Sequence, residues 1–439
     1  MDSTFLILTS ISVLIFIKIF LSLYSAYVFR KTVNKLPGPR GNILFGTSSS
    51  ARKLKKEDRL LKVQICSIKY KDGLFRTWLG TEATVHIHKP EHIEIILRST
   101  TNIEKAPLYK YMEPWLGQAL LTSTETAMGV NINMQEDTEN EYGKAVHRFT
   151  ELLMYRIFRP WLAWDWVFAL TEVGKEYYSA INIMHTFTRE VIKKKKLVRE
   201  SKCNIADEDS LIFNEIGKPT RKAFLDLLLD ARESDGNHMT DEELREQVDT
   251  VMFAGHDTTA AAISWTLFLL GNNEDIQNKV HEELDYIFSD SNESATTKEI
   301  SQLKYLDRVA KEALRLYPSA PGFLRKLSED VKIGCVVALS SFGTHRHPDI
   351  WPNPEEFNPD RFLPENSKGR HPYSYIPFSA GPRNCLGQKY ALLEEKFVLT
   401  AILRKWKVKS VQKQDNIKFY GALILRPSEG IYLHFIPKK

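Results

Sequence analysis

The longest helical pattern in the chain sets the scale of whatever it folds into. Thr240-Asp241-Glu242-Glu243 has the form of a capping box, with threonine ahead of the first turn, glutamate three residues on and acids filling that turn. The sequence then stays compatible with helix to Leu270, before Gly271 and Asn272. A helix of about thirty residues is about 45 Å long, enough to cross a whole domain. The rest of the domain must therefore wrap around it. In its middle stands Ala254-Gly255-His256-Asp257-Thr258-Thr259. Glycine beside two threonines is a poor helix interior, because the hydroxyls compete for backbone carbonyls. The hydrogen-bond ladder is predicted to open there, and such a local conflict marks a site.

With 439 residues, 43% of them hydrophobic and 26% charged, the chain can bury a large core and has neither a disordered nor a multi-span membrane composition. The net charge of +5 suits an anionic surface or an acidic partner. No dense basic patch with interleaved aromatics argues for nucleic acid. Lys193 to Lys196 are expected at the solvated end of a helix. The four cysteines, Cys66, Cys203, Cys335 and Cys385, form no Cys-x-x-Cys pair, a pattern of reducing compartments. Asn292-Glu293-Ser294 spells a glycosylation sequon, expected to be unused in a cytosolic domain.

From Thr4 to Phe29 the chain is almost wholly apolar, with Lys18 its one charge, long enough to span a bilayer. A cleaved signal is the alternative. Arg30, Lys31, Lys35 and Arg40 follow the span, which orients the large domain toward the cytosol. The division expected is an anchor over residues 1–29, a stiff proline-rich hinge over 30–41 and a single catalytic domain over 42–439. Alternation over 74–88 around Gly80 predicts a hairpin, and Pro90 to Leu97 a short helix. Aromatic-rich helices are predicted at Tyr142–Arg156 and Val173–Lys196, joined by Pro160-Trp161.

Phe378-Ser-Ala-Gly-Pro-Arg-Asn-Cys-Leu-Gly387 sets Cys385 among glycines and a proline, where no ordinary helix can form. Helical spacing resumes at Leu386, Tyr390, Leu393 and Phe397, which places Cys385 at a helix N-terminus. There the unpaired amides and the helix dipole favour thiolate, a metal ligand. A small buried hydrophobe is the alternative.

The stretch resembles the haem-ligand signature Phe-x-x-Gly-x-Arg-x-Cys-x-Gly of the cytochrome P450 superfamily, and by that resemblance the chain is expected to bind haem b with Cys385 as the proximal ligand. The resemblance implies that Arg383 pairs with a haem propionate, that Phe378 packs near the cysteine loop, and that Gly381 lets its backbone approach the sulfur. Arg325, after Pro318 and Pro321, aligns with another propionate-binding arginine. Ala254 to Thr259 resembles the oxygen-activating motif, with Asp257 and Thr258 in the proton-delivery positions; His256 occupies a position the family leaves free and is not expected to be a ligand. Glu312 and Arg315, three apart on one predicted helix over Ser301–Pro318, precede Phe357-Asn-Pro-Asp-Arg-Phe362. Together these resemble the family's buried cluster of Glu312, Arg315 and Arg361. His345 and His347 are structural in this reading.

The fold class implied is mainly α with small β-sheets, lacking part of the helical region after residue 124. Trp115-Leu116-Gly117 to Thr124 resembles the lead-in to a helix bearing Trp-x-x-x-Arg, yet Glu125 to Gly129 resembles a segment several helices further on. An internal loss is inferred at 124/125, and a smaller one at 334/335. Ala-Gly-His-Asp-Thr-Thr, Phe-Gly-Thr-His-Arg-His-Pro and the cysteine stretch are similar to family 4, especially its arthropod members. Many of these carry a glutamate that esterifies a haem methyl; here that residue is Ala254, so haem is expected without this link.

The activity implied is insertion of one dioxygen atom into a C–H bond of a lipophilic substrate, fatty-acid ω-hydroxylase-like or directed at xenobiotics or hormones. Electrons would come from NADPH through a membrane-bound reductase, with cytochrome b5 as a further candidate partner, at the endoplasmic reticulum. No strand followed by Gly-x-Gly-x-x-Gly is found in the chain itself. The competing expectation is a catalytically inactive splice or gene-model product with weak or no haem binding. A dehydrogenase or a zinc enzyme has no supporting motif.

Overall fold

The computed structural model describes residues 3–42, 45–117, 139–206, 224–234, 239–289, 293–327 and 336–438. The inferred junctions at 124/125 and 334/335, the segment Leu120 to Gly129, Asn292 and Cys335 all lie outside these residues.

Helix α1 (Ser3–Val33) contains a stretch, Thr9–Val33, with a mean hydropathy of 2.0, long and apolar enough to cross a membrane. Its C-terminal end docks on the domain. Phe29 meets Trp78 edge-on at 5.8 Å, and Trp78 Nε1 donates to Asn34 Oδ1 at 3.1 Å. The proline-rich segment after it is pinned: Pro37 O accepts from Arg76 N at 2.8 Å and Pro39 O from Arg76 Nη1 at 3.1 Å. A Cβ on Gly38 would lie 2.3 Å from Arg76 O, so only glycine fits against the strand. The expected hinge is therefore a seam.

Helix α2 (Lys56–Lys69) leads into the hairpin of β1 (Leu74–Leu79) and β2 (Glu82–Ile87), antiparallel as predicted, and then into α3 (Pro90–Arg98). After the short α4 (Glu113–Leu116) come α5 (Glu139–Ile157) and α6 (Glu172–Ala206). Helix α6 runs past Lys193–Lys196, so those lysines sit inside it and not at its end. Lys195 pairs with Asp226 and Lys196 with Asp241, both at 2.8 Å, which corrects the expectation of a merely solvated run.

The long helix α7 (Asp241–Asn272) begins with the capping box complete, Thr240 and Glu243 each accepting from the other's amide. Next come α8 (Lys304–Leu316), β3 (Phe323–Lys326) and β4 (Val336–Leu339). The last two extend the hairpin to a sheet of order β1-β2-β4-β3, with β2 and β4 parallel. Helix α9 (Gln388–Leu403) follows the cysteine stretch, and then two small sheets close the chain: β5 (Trp406–Ser410) with β8 (Leu433–Pro437), and β6 (Phe419–Gly421) with β7 (Leu425–Pro427).

Helix α7 divides the interior. On one side its N-terminal half packs with Trp115, Tyr142, Phe149 and Tyr177 of α4, α5 and α6; its C-terminal half packs with Leu306, Leu316, Leu399 and Leu403 of α8 and α9. The predominance of helix over three small sheets matches the fold class expected from the sequence.

Candidate active site

The cysteine stretch folds into a loop tied at both ends. Cys385 N donates to Phe378 O at 2.9 Å and Asn384 N to Gly381 O at 3.1 Å. Gly381 has φ +72°, and a Cβ there would fall 1.8 Å from Leu97 O. One contact that demands glycine is thus with the end of α3. Helix α9 starts only at Gln388, with Gly387 as its cap, so Cys385 precedes the helix by a short turn. The Gly387 and Gln388 amides bond to its sulfur, yet burial outweighs them and pushes the thiol up. The expected preference for thiolate is therefore not supplied by the helix end alone; a cation at the sulfur would supply it. Cys385 keeps solvent-accessible surface although protein atoms crowd around its sulfur.

The loop is supported from α8. Glu312 and Arg315 have no exposed side-chain surface and pair through 2.7 and 2.8 Å contacts. Arg361 Nε lies 3.3 Å from Glu312 Oε1, so the structure brings all three residues together. Arg315 Nη1 also donates to His345 O at 2.8 Å, and His345 Nε2 accepts from Ile376 N at 2.8 Å, two residues before Phe378. His345 is thus engaged with the backbone, while His347 stacks on His88 at 5.4 Å.

Ala254, Gly255 and His256 are exposed in the middle of α7, and nothing lies within 4 Å of where a Gly255 Cβ would be. Thr258 Oγ1 donates to Ala254 O at 2.7 Å and Thr259 Oγ1 to Gly255 O at 2.9 Å. The hydroxyls share these carbonyls without breaking the helix, so the predicted opening takes the form of bifurcated acceptors in a continuous α7. Ser319 Oγ adds a 2.8 Å bond to Thr258 O. His256 Nδ1 is engaged with Met252 O at 2.6 Å. Asp257 meets a partner the sequence reading missed: Arg426 Nη2, on β7, lies 2.8 and 2.6 Å from its two oxygens.

A group of cations stands beside the cysteine loop. Arg325, 5% exposed, reaches toward Arg383 O with Nη2 at 3.4 Å and forms a backbone bridge with Lys105. Burial, with Arg383 and Arg325 adding to it, brings the Lys105 ammonium down to about 7. Among the described residues no carboxylate forms an ion pair with Arg325. Lys105 was not singled out from the sequence; it comes to the site only through strand pairing. Three cations gathered in a partly desolvated place repel one another and fit a ligand carrying more than one anionic group. With the sulfur on one side and bare glycine on the other, this donor set fits haem.

The family model for cytochrome P450 matches residues 112–435. The chain is 40% identical over 432 residues to "Cytochrome P450 4V2" of Homo sapiens, covering 82% of this chain and 81% of that one. It is 37% identical over 504 residues to "Cytochrome P450 4c3" of Drosophila melanogaster (97% and 93%) and 34% over 503 residues to "Cytochrome P450 4c21" of Blattella germanica (99% and 99%). In fold it resembles the crystal structure of the cytochrome P450DA heme domain, with a TM-score of 0.72 at 21% identity, covering 92% of this chain and 98% of that one. The chain belongs to the cytochrome P450 superfamily as a family 4-like member, a mono-oxygenase whose cofactor is haem b on a cysteine thiolate.

Proposed function

We propose that the chain hydroxylates a lipophilic substrate of the fatty-acid type, with Cys385 as the thiolate ligand and Arg325, Arg383 and Lys105 holding the propionates. The observation that carries this reading is the convergence of the Cys385 loop with those cations, together with the open space at Gly255 of α7. Haem, when bound, supplies oxygen activation for insertion into a C–H bond.

The protein's own contribution is binding, water exclusion and protons. Trp115, Tyr142, Phe149 and Phe253 pack into one buried apolar cluster against the N-terminal half of α7, which holds in place the helix that carries Gly255 and Thr258. Thr258 Oγ1 directs its proton to Ala254 O, which leaves its lone pairs as acceptors, and the adjacent Asp257 carboxylate takes up a proton from solvent and passes it on there. Phe378 O and the Gly387 and Gln388 amides keep the cysteine loop in shape before the cofactor arrives. Ala254 has no carboxyl, so haem is held without an ester; a tryptic digest that retains haem on the peptide would overturn this.

Electrons come from NADPH through a reductase, with cytochrome b5 as an auxiliary donor. Helix α1 supports a single-pass anchor in the endoplasmic reticulum, with the domain in the cytosol. In this reading residues 1–29 anchor the chain and 42–439 form the catalytic domain, with helix α1 running on to Val33.

A second reading, an inactive product with weak haem binding, is favoured by one observation. Alignments to family relatives run over 503 and 504 positions, more than the 439 residues of this chain, which supports internal loss. Reduction under carbon monoxide decides between them. The active reading expects a strongly red-shifted Soret band that Cys385→Ser abolishes; absence of the band in the native chain favours the second reading.

A further inference from the structure

We propose that capture of haem by this chain is coupled to protonation of Lys105, whose ammonium forms as the haem propionates join Arg325 and Arg383 beside it. The inference rests on the reading of these three residues as the propionate site, and adds how that site acquires its charge.

Lys105 is held among the arginines by backbone pairing. It bridges Arg325 in antiparallel fashion, Lys326 N donates to Glu104 O at 2.9 Å, and Lys326 Nζ pairs with Glu104 Oε1 at 2.9 Å. Residues 104 and 105 thus run along β3 as a short added edge, which fixes Lys105 beside Arg325. Arg325 in turn points Nη2 at Arg383 O at 3.4 Å, so the third cation is tied to the same place. The two guanidiniums keep their protons at any pH a cell meets, although burial lowers both of them here. A lysine ammonium gives its proton up far more readily when it is desolvated. Of three crowded cations, Lys105 is therefore the one that can relieve the repulsion.

The groups facing Lys105 come from each element packed on it. They are Arg325 of β3, Arg383 of the cysteine loop, and Tyr109 of the turn Pro107–Met112, over whose ring Lys105 Nζ lies at 4.9 Å. Burial raises the Tyr109 phenol, so it offers a ring face and no negative charge. Glu104 is turned to Lys326. Burial first, then Arg383 and Arg325, bring the Lys105 ammonium to about 7. Carboxylates placed among these groups reverse the balance, since each favours the ammonium. Lys105 then takes its proton from solvent. Above neutral pH this uptake accompanies binding; at pH 6 the ammonium is already formed and binding adds nothing.

The test titrates the haem-free full chain with ferric haem, reading affinity from absorbance and protons from a pH indicator in weak buffer. With a value of about 7 in the empty site, about nine in ten Lys105 side chains are neutral at pH 8, so the native chain takes up about one proton there. Lys105→Arg, charged throughout, takes up none. The Cys385 thiol releases a proton on becoming a ligand in both proteins, so the difference between them isolates residue 105. The native chain is expected to release about one proton fewer per haem at pH 8 and the same number at pH 6, while its affinity relative to Lys105→Arg falls about tenfold between the two. Haem dimethyl ester, which has no propionate anions, is expected to abolish the native uptake. A merely structural lysine would change affinity without changing the proton count.

Equal proton counts for the native chain and Lys105→Arg at pH 8 overturn the coupling, as does an uptake that persists with the dimethyl ester. Should Lys105→Arg fail to fold, the native chain with haem against the ester carries the same comparison. If the chain takes up no haem, or Cys385→Ser binds it with an unchanged spectrum, the haem reading fails and the coupling with it. If the spectrum depends on Cys385 and the proton counts are equal, only the coupling fails.

Discussion

Arg315 and Arg245 are both buried arginines, one beneath the cysteine loop and one beside Trp115. Arg315 uses all five of its N–H donors, on Glu312 and on the carbonyls of His345, Pro354 and Glu356. Arg245 pairs with Asp249 and Glu242 and donates to Trp115 O at 3.0 Å, but its Nε has no partner. Beside it the Trp115 indole N–H and the Tyr142 hydroxyl are also buried without partners. The two regions differ in what they are for. Beneath the loop, polar groups fix one geometry; in the cluster around Trp115, close apolar packing coexists with polar groups left over.

The carboxylates sharpen the contrast. Burial lifts Asp249 to about 7, against the hydrogen bond from Thr188 and the charge of Arg245. Its pair can thus be neutralised by a proton near physiological pH. The largest expected effect follows: Arg315→Ala leaves buried Glu312 with only the more distant Arg361 as its cation and strands the carbonyls of His345, Pro354 and Glu356, at a cost of about 3–5 kcal/mol in urea unfolding, with loss of the carbon monoxide band. Arg245→Ala costs less at pH 6, because Asp249 takes up a proton, and the gap narrows as pH rises above 7. Equal costs at pH 6 would erase the distinction.

Gly381→Ala is next. The methyl group meets Leu97 O in a backbone conformation that already disfavours a side chain, so the loop must move. A reduced carbon monoxide band with little change in overall unfolding is expected; an intact band would mean that the loop is less constrained than its geometry indicates.

A pH series is expected to show smaller, graded effects. Asp249 and Glu395 have folded-state values above their unfolded ones, about 7 and about 8, burial being the main cause in each. Each therefore stabilises the fold fully below the unfolded value and loses that contribution as pH rises through the folded value. Asp249→Asn should flatten the decline up to pH 7, and Glu395→Gln the part that continues to pH 8, in melting temperature against pH. The smallest effect is Thr240→Ala, about 1 kcal/mol from the lost cap of α7, measured by urea unfolding.

Much of this was legible in the sequence because the information was local. The capping box at Thr240, the hairpin around Gly80 and the three-residue spacing of Glu312 and Arg315 each depend on neighbours in the chain. Cys385 announced itself through the glycines and proline around it. Arg426 did not, since it meets Asp257 across 169 residues and nothing near it spells a site. Lys105 was equally silent; only its bridge to Arg325 reveals it. The lysines of α6 misled because a charged run looks solvated until Asp226 and Asp241 are brought beside it.

The contact of Gly381 with Leu97 also bears on the order of events during synthesis. The surface that receives the cysteine loop belongs to α3, which leaves the ribosome early, while the loop itself emerges late. A nascent chain that has completed α3 and even α7 still has no site for haem, whatever core it has formed. Cofactor capture is therefore an event of the nearly finished polypeptide, and a shortage of haem would leave late-stage chains, already largely folded, waiting with the Cys385 thiol exposed.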